Sequence, residues 1–176
     1  GVLNIEPKVQ VLFSKLDTPL KGNITVRDKG SLIANGVKFS SEDNTENWDY
    51  IYGEEGSVLN FENTIIKNGG YSNKGSLRID TTAANIKNTT IQDSSSHGIY
   101  IGKSDISPDL QGIIIERSKG YGIYLMENAK PKYNGILQRD NWRNGVFVGS
   151  SQLYGNNVWG SDEGPYYLSG IYNLEE

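Results

Sequence analysis

Four positions in this chain, Asn63, Asn88, Gly112 and Gly135, stand 25, 24 and 23 residues apart. Each falls just before or within a short β-rich run: Asn63-Thr64-Ile65-Ile66, Asn88-Thr89-Thr90-Ile91, Gly112-Ile113-Ile114-Ile115 and Gly135-Ile136-Leu137. Ten residues after the last three comes a second landmark, Gly98, Gly122 and Gly145, opening Ile99-Tyr100-Ile101, Ile123-Tyr124-Leu125 and Val146-Phe147-Val148. Self-similarity at such a period restricts the architecture more than any composition figure, because one supersecondary unit must then be laid down again and again. Asn and Gly enter left-handed backbone geometry most cheaply, so their alternation at one position predicts a sharp bend with positive φ once per repeat.

Between the bends lie runs of three to five residues rich in Ile, Val, Thr and Tyr, too short for helices and suited to strands. A period near 23 holding two or three short strands is what a parallel β-helix requires, since each coil closes a circuit and climbs one strand spacing of about 4.8 Å. The prediction is an all-β, single-domain, right-handed parallel β-helix over residues 1–176, of about seven coils. Ile99 and Ile101, Ile123 and Leu125, and Val146 and Val148 should point inward, with Tyr100, Tyr124 and Phe147 outward. The earlier coil enters through Gly75-Ser76-Leu77-Arg78-Ile79, where the bend-to-bend distance is 12 instead of 10. An antiparallel β-sandwich is the rival, but its strands would not share a coil-length landmark.

Other classes are excluded by inventory. With 17 basic and 21 acidic residues the chain carries −4 and offers no footprint for a polyanion, so nucleic acid is not an expected partner. The absence of Cys removes disulfides, thiolate metal sites and cysteine nucleophiles, and a single His removes the usual multi-His zinc site. No apolar run approaches the roughly 18 residues of a membrane span.

The stretches Leu3-Asn4-Ile5-Glu6-Pro7 with Val9-Gln10-Val11-Leu12-Phe13, then Gly30-Ser31-Leu32-Ile33-Ala34-Asn35-Gly36 and Val37-Lys38-Phe39-Ser40-Ser41, with Trp48 after a polar loop, resemble parallel β-helix repeat modules of bacterial and archaeal surface and secreted proteins. Those modules are members of the pectin-lyase-like superfamily. The resemblance departs at Lys8, where a Gly usually completes the turn after Glu-Pro. It implies an extracellular or cell-surface location. The C-terminal stretch from Gly164-Pro165-Tyr166-Tyr167-Leu168 to Leu174-Glu175-Glu176 looks like the segment that precedes the Leu-x-Ile-Glu-Pro motif in such proteins. Read in a circle, the end of the chain leads into its beginning. That implies one unit of a tandem array, or copies stacked end to end through Val2, Leu3 and Ile5 at one end and Tyr166, Tyr167, Leu168, Ile171 and Leu174 at the other.

The resemblance also raises catalysis, because relatives include polygalacturonases and pectate lyases. Ser96-His97-Gly98 approaches the Gly-His-Gly of the former, but neither the paired aspartates nor the Arg-Ile-Lys triplet accompanies it. The slot before the coil glycine is held in turn by His97, Tyr121 and Asn144, which reads His97 as a solvent-facing variation with no catalytic role. Asp80, Asp93, Asp105 and Asp109 lie on different coil segments, and no pair is predicted to converge. Glu42, Asp43 and Glu46 supply oxygen ligands of the kind calcium takes, but not at EF-hand spacing, so a solvated loop and no cofactor or metal is expected. Thr64, Thr89 and Thr90 do not continue into later coils, which argues against an ice-binding threonine face.

The outward column Arg78, Tyr100, Tyr124 and Phe147 is the candidate ligand surface, an aromatic ladder for a glycan or a protein. The function this predicts is an extracellular structural or adhesive module, self-associating or joined end to end into a fibre or surface layer. The alternative is a lyase or hydrolase acting on acidic polysaccharide, which would need carboxyls and a base gathered in one groove.

Overall fold

The computed structural model describes residues 1–14, 21–43, 46–126, 128–149, 152–154, 158–161, 163–169 and 173–175. Among the described residues nineteen of twenty-one short strands wind into three parallel sheets, and no helix occurs. The first sheet stacks Val2–Ile5, Ser31–Asn35, Val58–Glu62, Ala84–Lys87, Asp109–Gln111 and Lys132–Asn134. The second stacks Gln10–Phe13, Lys38–Ser41, Ile65–Lys67, Thr90–Gln92, Ile114–Glu116 and Leu137–Arg139. The third runs from Ile24–Val26 through Ile51–Gly53, Leu77–Ile79, Ile99–Ile101, Tyr121–Leu125 and Arg143–Val148 to Tyr166–Leu168. A further parallel pair joins Gln152–Tyr154 to Asn173–Glu175.

This is a right-handed parallel β-helix of about six coils, with a seventh strand on the third sheet, and the sandwich alternative is gone. The period is not constant. Ser31 lies opposite Val2, 29 positions on; Asn85 lies opposite Asn60, 25 on; Lys132 lies opposite Asp109, 23 on. The expected period of 23 is therefore the value of the later coils, and the longer early ones reduce the number that fit.

The corner between the first and second sheets is a one-residue left-handed bend. Asn63, Asn88, Gly112 and Gly135 have φ of 49, 45, 61 and 66°, and the column continues upstream through Gly36 at 64° and Lys8 at 71°. Lys8 thus adopts the geometry of the glycine it replaces. The second glycine landmark has a different cause: Gly98 and Gly122 are not left-handed, but a Cβ would stand 2.3 Å from Ile115 Cγ2 at the first and 1.7 Å from Gln138 Oε1 at the second. Side chains of the neighbouring turns occupy the space.

Inward residues stack like on like. Ile51, Leu77, Ile99, Ile123 and Val146 form one fully buried column of the third sheet, and Phe39, Ile66, Ile91 and Ile115 one of the second. Each solenoid coil touches only its neighbours, so the core is built of such columns, with Leu32, Leu59 and Ile86 among those the first sheet adds. Thr64 and Thr89 belong to it as well: both are buried at the bend, donating to the carbonyls of Glu62 (3.0 Å) and Lys87 (2.9 Å).

Coil length varies most at one corner. From the second sheet to the third, Phe39 to Ile51 spans 12 positions, Ile66 to Leu77 11, and Ile91 to Ile99 only 8. Trp48 fills this corner in the early coils, buried, stacked on Phe13 at 4.1 Å and donating its indole N–H to the Lys67 carbonyl at 2.7 Å.

Candidate functional site

On the outer face of the third sheet, strict register sets Tyr52, Arg78, Tyr100, Tyr124, Phe147 and Tyr167 one above another. All are half-buried. The Tyr100 and Tyr124 rings stack at 5.1 Å and 12°, Tyr124 meets Phe147 at 4.7 Å, and the Arg78 guanidinium lies over Tyr52 at 4.2 Å and Tyr100 at 5.6 Å. The predicted ligand column is one continuous stack. Its rings meet stacked or tilted at the centroid separations that aromatic pairs favour.

The stack is wider than the sequence suggested. Tyr121 packs on Phe147 at 4.6 Å and Tyr167 at 5.4 Å, and meets the exposed Trp142 edge-on at 5.3 Å. His97 is half-buried among these rings and not the fully solvent-facing side chain expected. Its ring lies 4.6 Å from Tyr124 and 5.8 Å from Tyr121, and its Nδ1 accepts the Tyr121 backbone N–H at 3.1 Å. Burial pushes its pKa down to about 4, so at neutral pH the ring is uncharged with its proton on Nε2. Sequence reasoning treated the slot before the coil glycine as open, whereas aromatic neighbours close over it.

The acids are placed apart. Asp80 is buried and accepts from the Tyr52 hydroxyl at 2.7 Å, Arg78 Nη2 at 2.7 Å and the Gly102 N–H at 3.1 Å. Burial, then this carboxyl, pushes the Tyr52 phenol far above its ordinary value. Asp93 sits on the second sheet's corner, paired with Arg117 at 2.7 Å. Asp109 accepts from Gln111 Nε2 at 2.8 Å, and Asp105 occupies a left-handed bend with φ of 57°. In the acidic loop, Asp43 accepts the Glu46 N–H at 3.3 Å and Glu46 pairs with Lys21 at 3.0 Å. Among the described residues no three acids or histidines come together in a way that would hold a metal. The row Lys67, Asp93, Arg117, Glu116 and Arg139 is an ion-pair network. Burial works against the charged form of Glu116, but hydrogen bonds from both arginines outweigh it and hold its carboxyl below the ordinary range.

The two ends differ from the middle and from each other. Leu3 is in register with Leu32 and Leu59, yet it is 52% exposed where they are buried. Val2 is exposed, Ile5 is half-buried, and an apolar hollow of about 350 Å³ opens between Leu3, Ile24, Val26 and Leu32. At the other end the inward column of the first sheet finishes on Tyr133 and that of the second on Gln138. Gln138 accepts the Gly145 N–H at 2.8 Å and donates to the Glu163 carbonyl at 2.6 Å, a polar plug that no repeat pattern announced. The third sheet stays open: Leu168, in register with Val148, is 50% exposed, beside half-buried Tyr166 and Tyr167. Leu174 lies opposite Leu153 in the terminal pair, and Ile171 lies outside the described residues.

A family model described as the right-handed beta helix region matches residues 75–175. No curated protein matches the chain, and no solved structure does.

Proposed function

Because the chain belongs to the right-handed β-helix family, we propose that it works as an extracellular structural or adhesive module that packs end to end with further copies of itself. One observation carries this reading: Leu3 and Leu168 occupy inward register positions at opposite ends of the solenoid and are each about half exposed. Apolar surface left in water costs about 25 cal/mol per Å², so another coil set on either end would be stabilising. Every strand pair here is parallel, so a head of one copy laid on the tail of the next continues the same ladder without reversing direction. Ile24–Val26 of one copy would then follow Tyr166–Leu168 of its neighbour on the third sheet. Such a contact is heterologous and does not close, and it therefore builds a filament.

The aromatic stack runs along the side of that filament, where its half-buried rings would meet a glycan or a protein. The ends are tested by sedimentation across rising concentration. Wild type is expected to grow in mass beyond the dimer, and Leu3→Asp or Leu168→Asp to stay monomeric with an unchanged melting temperature. A wild type that remains monomeric at millimolar concentration, or that stops at the dimer, would overturn head-to-tail packing.

A further inference from the structure

Glycine follows asparagine at four places, Asn35-Gly36, Asn68-Gly69, Asn134-Gly135 and Asn144-Gly145. This dipeptide carries its own chemistry. The glycine backbone nitrogen can close a five-membered ring on the asparagine side-chain carbonyl carbon, and no Cβ stands in its way. Closure needs that N–H and the carboxamide free of other bonds, and a backbone able to open locally. Three of the four sites are held. The Gly36 N–H donates to the Glu62 carbonyl at 2.9 Å, and Asn35 Oδ1 accepts from Asn63 Nδ2 at 3.3 Å. Gly69 is buried against the Trp48 ring, and the Asn68 carbonyl accepts from the Trp48 N–H and Asn47 Nδ2, each at 3.1 Å. The Gly145 N–H donates to Gln138 Oε1 at 2.8 Å, while Asn144 Oδ1 accepts the Asn141 N–H at 3.1 Å and its Nδ2 at 2.9 Å.

Asn134-Gly135 differs on every count. Asn134 ends Lys132–Asn134, the last strand of the first sheet, so no further strand of that sheet takes the Gly135 N–H as Glu62 takes that of Gly36. Both residues are exposed, and among the described residues nothing bonds the Asn134 carboxamide or the Gly135 N–H. We propose that Asn134 is a modification site, at which the folded chain deamidates with water as the only co-reactant. The Gly135 nitrogen loses its proton and attacks Asn134 Cγ. The Cγ–Nδ2 bond breaks, ammonia leaves with a proton, and a succinimide remains. Water then opens the ring at either carbonyl to give aspartate or isoaspartate, and nothing is oxidised or reduced. Either product puts a carboxylate on the rim of the C-terminal end. Isoaspartate also lengthens the main chain by one carbon just before the left-handed bend at Gly135, where φ is 66°. The reaction needs no second copy, so it stands independently of end-to-end packing.

The test ages the whole chain, dilute and at mildly alkaline pH, and follows each Asn-Gly peptide by mass spectrometry after digestion, with isoaspartate resolved by chromatography. An existing hydrogen bond adds an opening step before attack, so Asn134 is expected to react about tenfold or more faster than Asn35, Asn68 or Asn144. In urea, where no fold distinguishes them, the four should react at closely similar rates. Asn134→Gln, whose longer side chain cannot close the five-membered ring, should melt as wild type does and stay unmodified at that position. Folded chain in which Asn134 reacts no faster than the other three would overturn the proposal. So would the same ranking in urea, or an Asn134→Gln chain that gains the acid there as fast as wild type.

Discussion

Leu3 and Leu59 are the same residue in the same register column, two coils apart, and one is half exposed while the other is sealed. Nothing in their side chains differs. The difference is that Leu59 has coils above and below, whereas among the described residues Leu3 has one on a single side. In a solenoid the value of an apolar residue is set by its axial neighbours and not by its own chemistry.

The widest gap between the two regions should come from truncating these leucines. Leu59→Ala is expected to cost about 3 kcal/mol in urea unfolding, as cavities in a sealed core do, and Leu3→Ala less than about 1 kcal/mol. Equal losses would show that the first coil is as closed as the middle. His97 gives the middle coils a pH response. Its folded pKa of about 4 lies below its ordinary 6.5, so the unfolded chain binds the proton more readily. Stability should be full above about pH 6.5 and fall by about 2 kcal/mol as pH drops to about 4, allowing for solvent at the ring's exposed edge. His97→Gln, which can still accept from Tyr121, should flatten that part of the curve; an unaltered slope would assign the acid sensitivity elsewhere. The smallest contrast lies in the bends. Lys8→Gly should stabilise by about 1 kcal/mol by relieving a left-handed lysine, and Asn88→Gly by only a few tenths, since Asn already tolerates that geometry. Equal gains would mean that the first-coil bend carries no strain of its own.

The pattern of Asn63, Asn88, Gly112 and Gly135 made the winding legible because a left-handed bend restricts residue type at the bend itself. The inward alternation of Ile99 and Ile101 was legible for the same local reason. A second left-handed column, Asn68, Asp93, Arg117 and Asp140, has the same spacings and went unread because its occupants do not look alike. What caps the second sheet's inward column was also hidden: Gln138 sits at an ordinary strand position, and its role depends on Gly145 and the Glu163 carbonyl, which only the folded chain brings to it. His97 was misread because the ring that covers it, Tyr124, belongs to the next coil.

The corner between the second and third sheets, where the span shortens from 12 positions to 8, has a practical meaning. The corner at the left-handed Asn/Gly bend barely varies, so added length at this one leaves the register of all three sheets untouched. It is a socket: foreign segments of several residues between Asn68 and Leu77 would ride on the rod's flank.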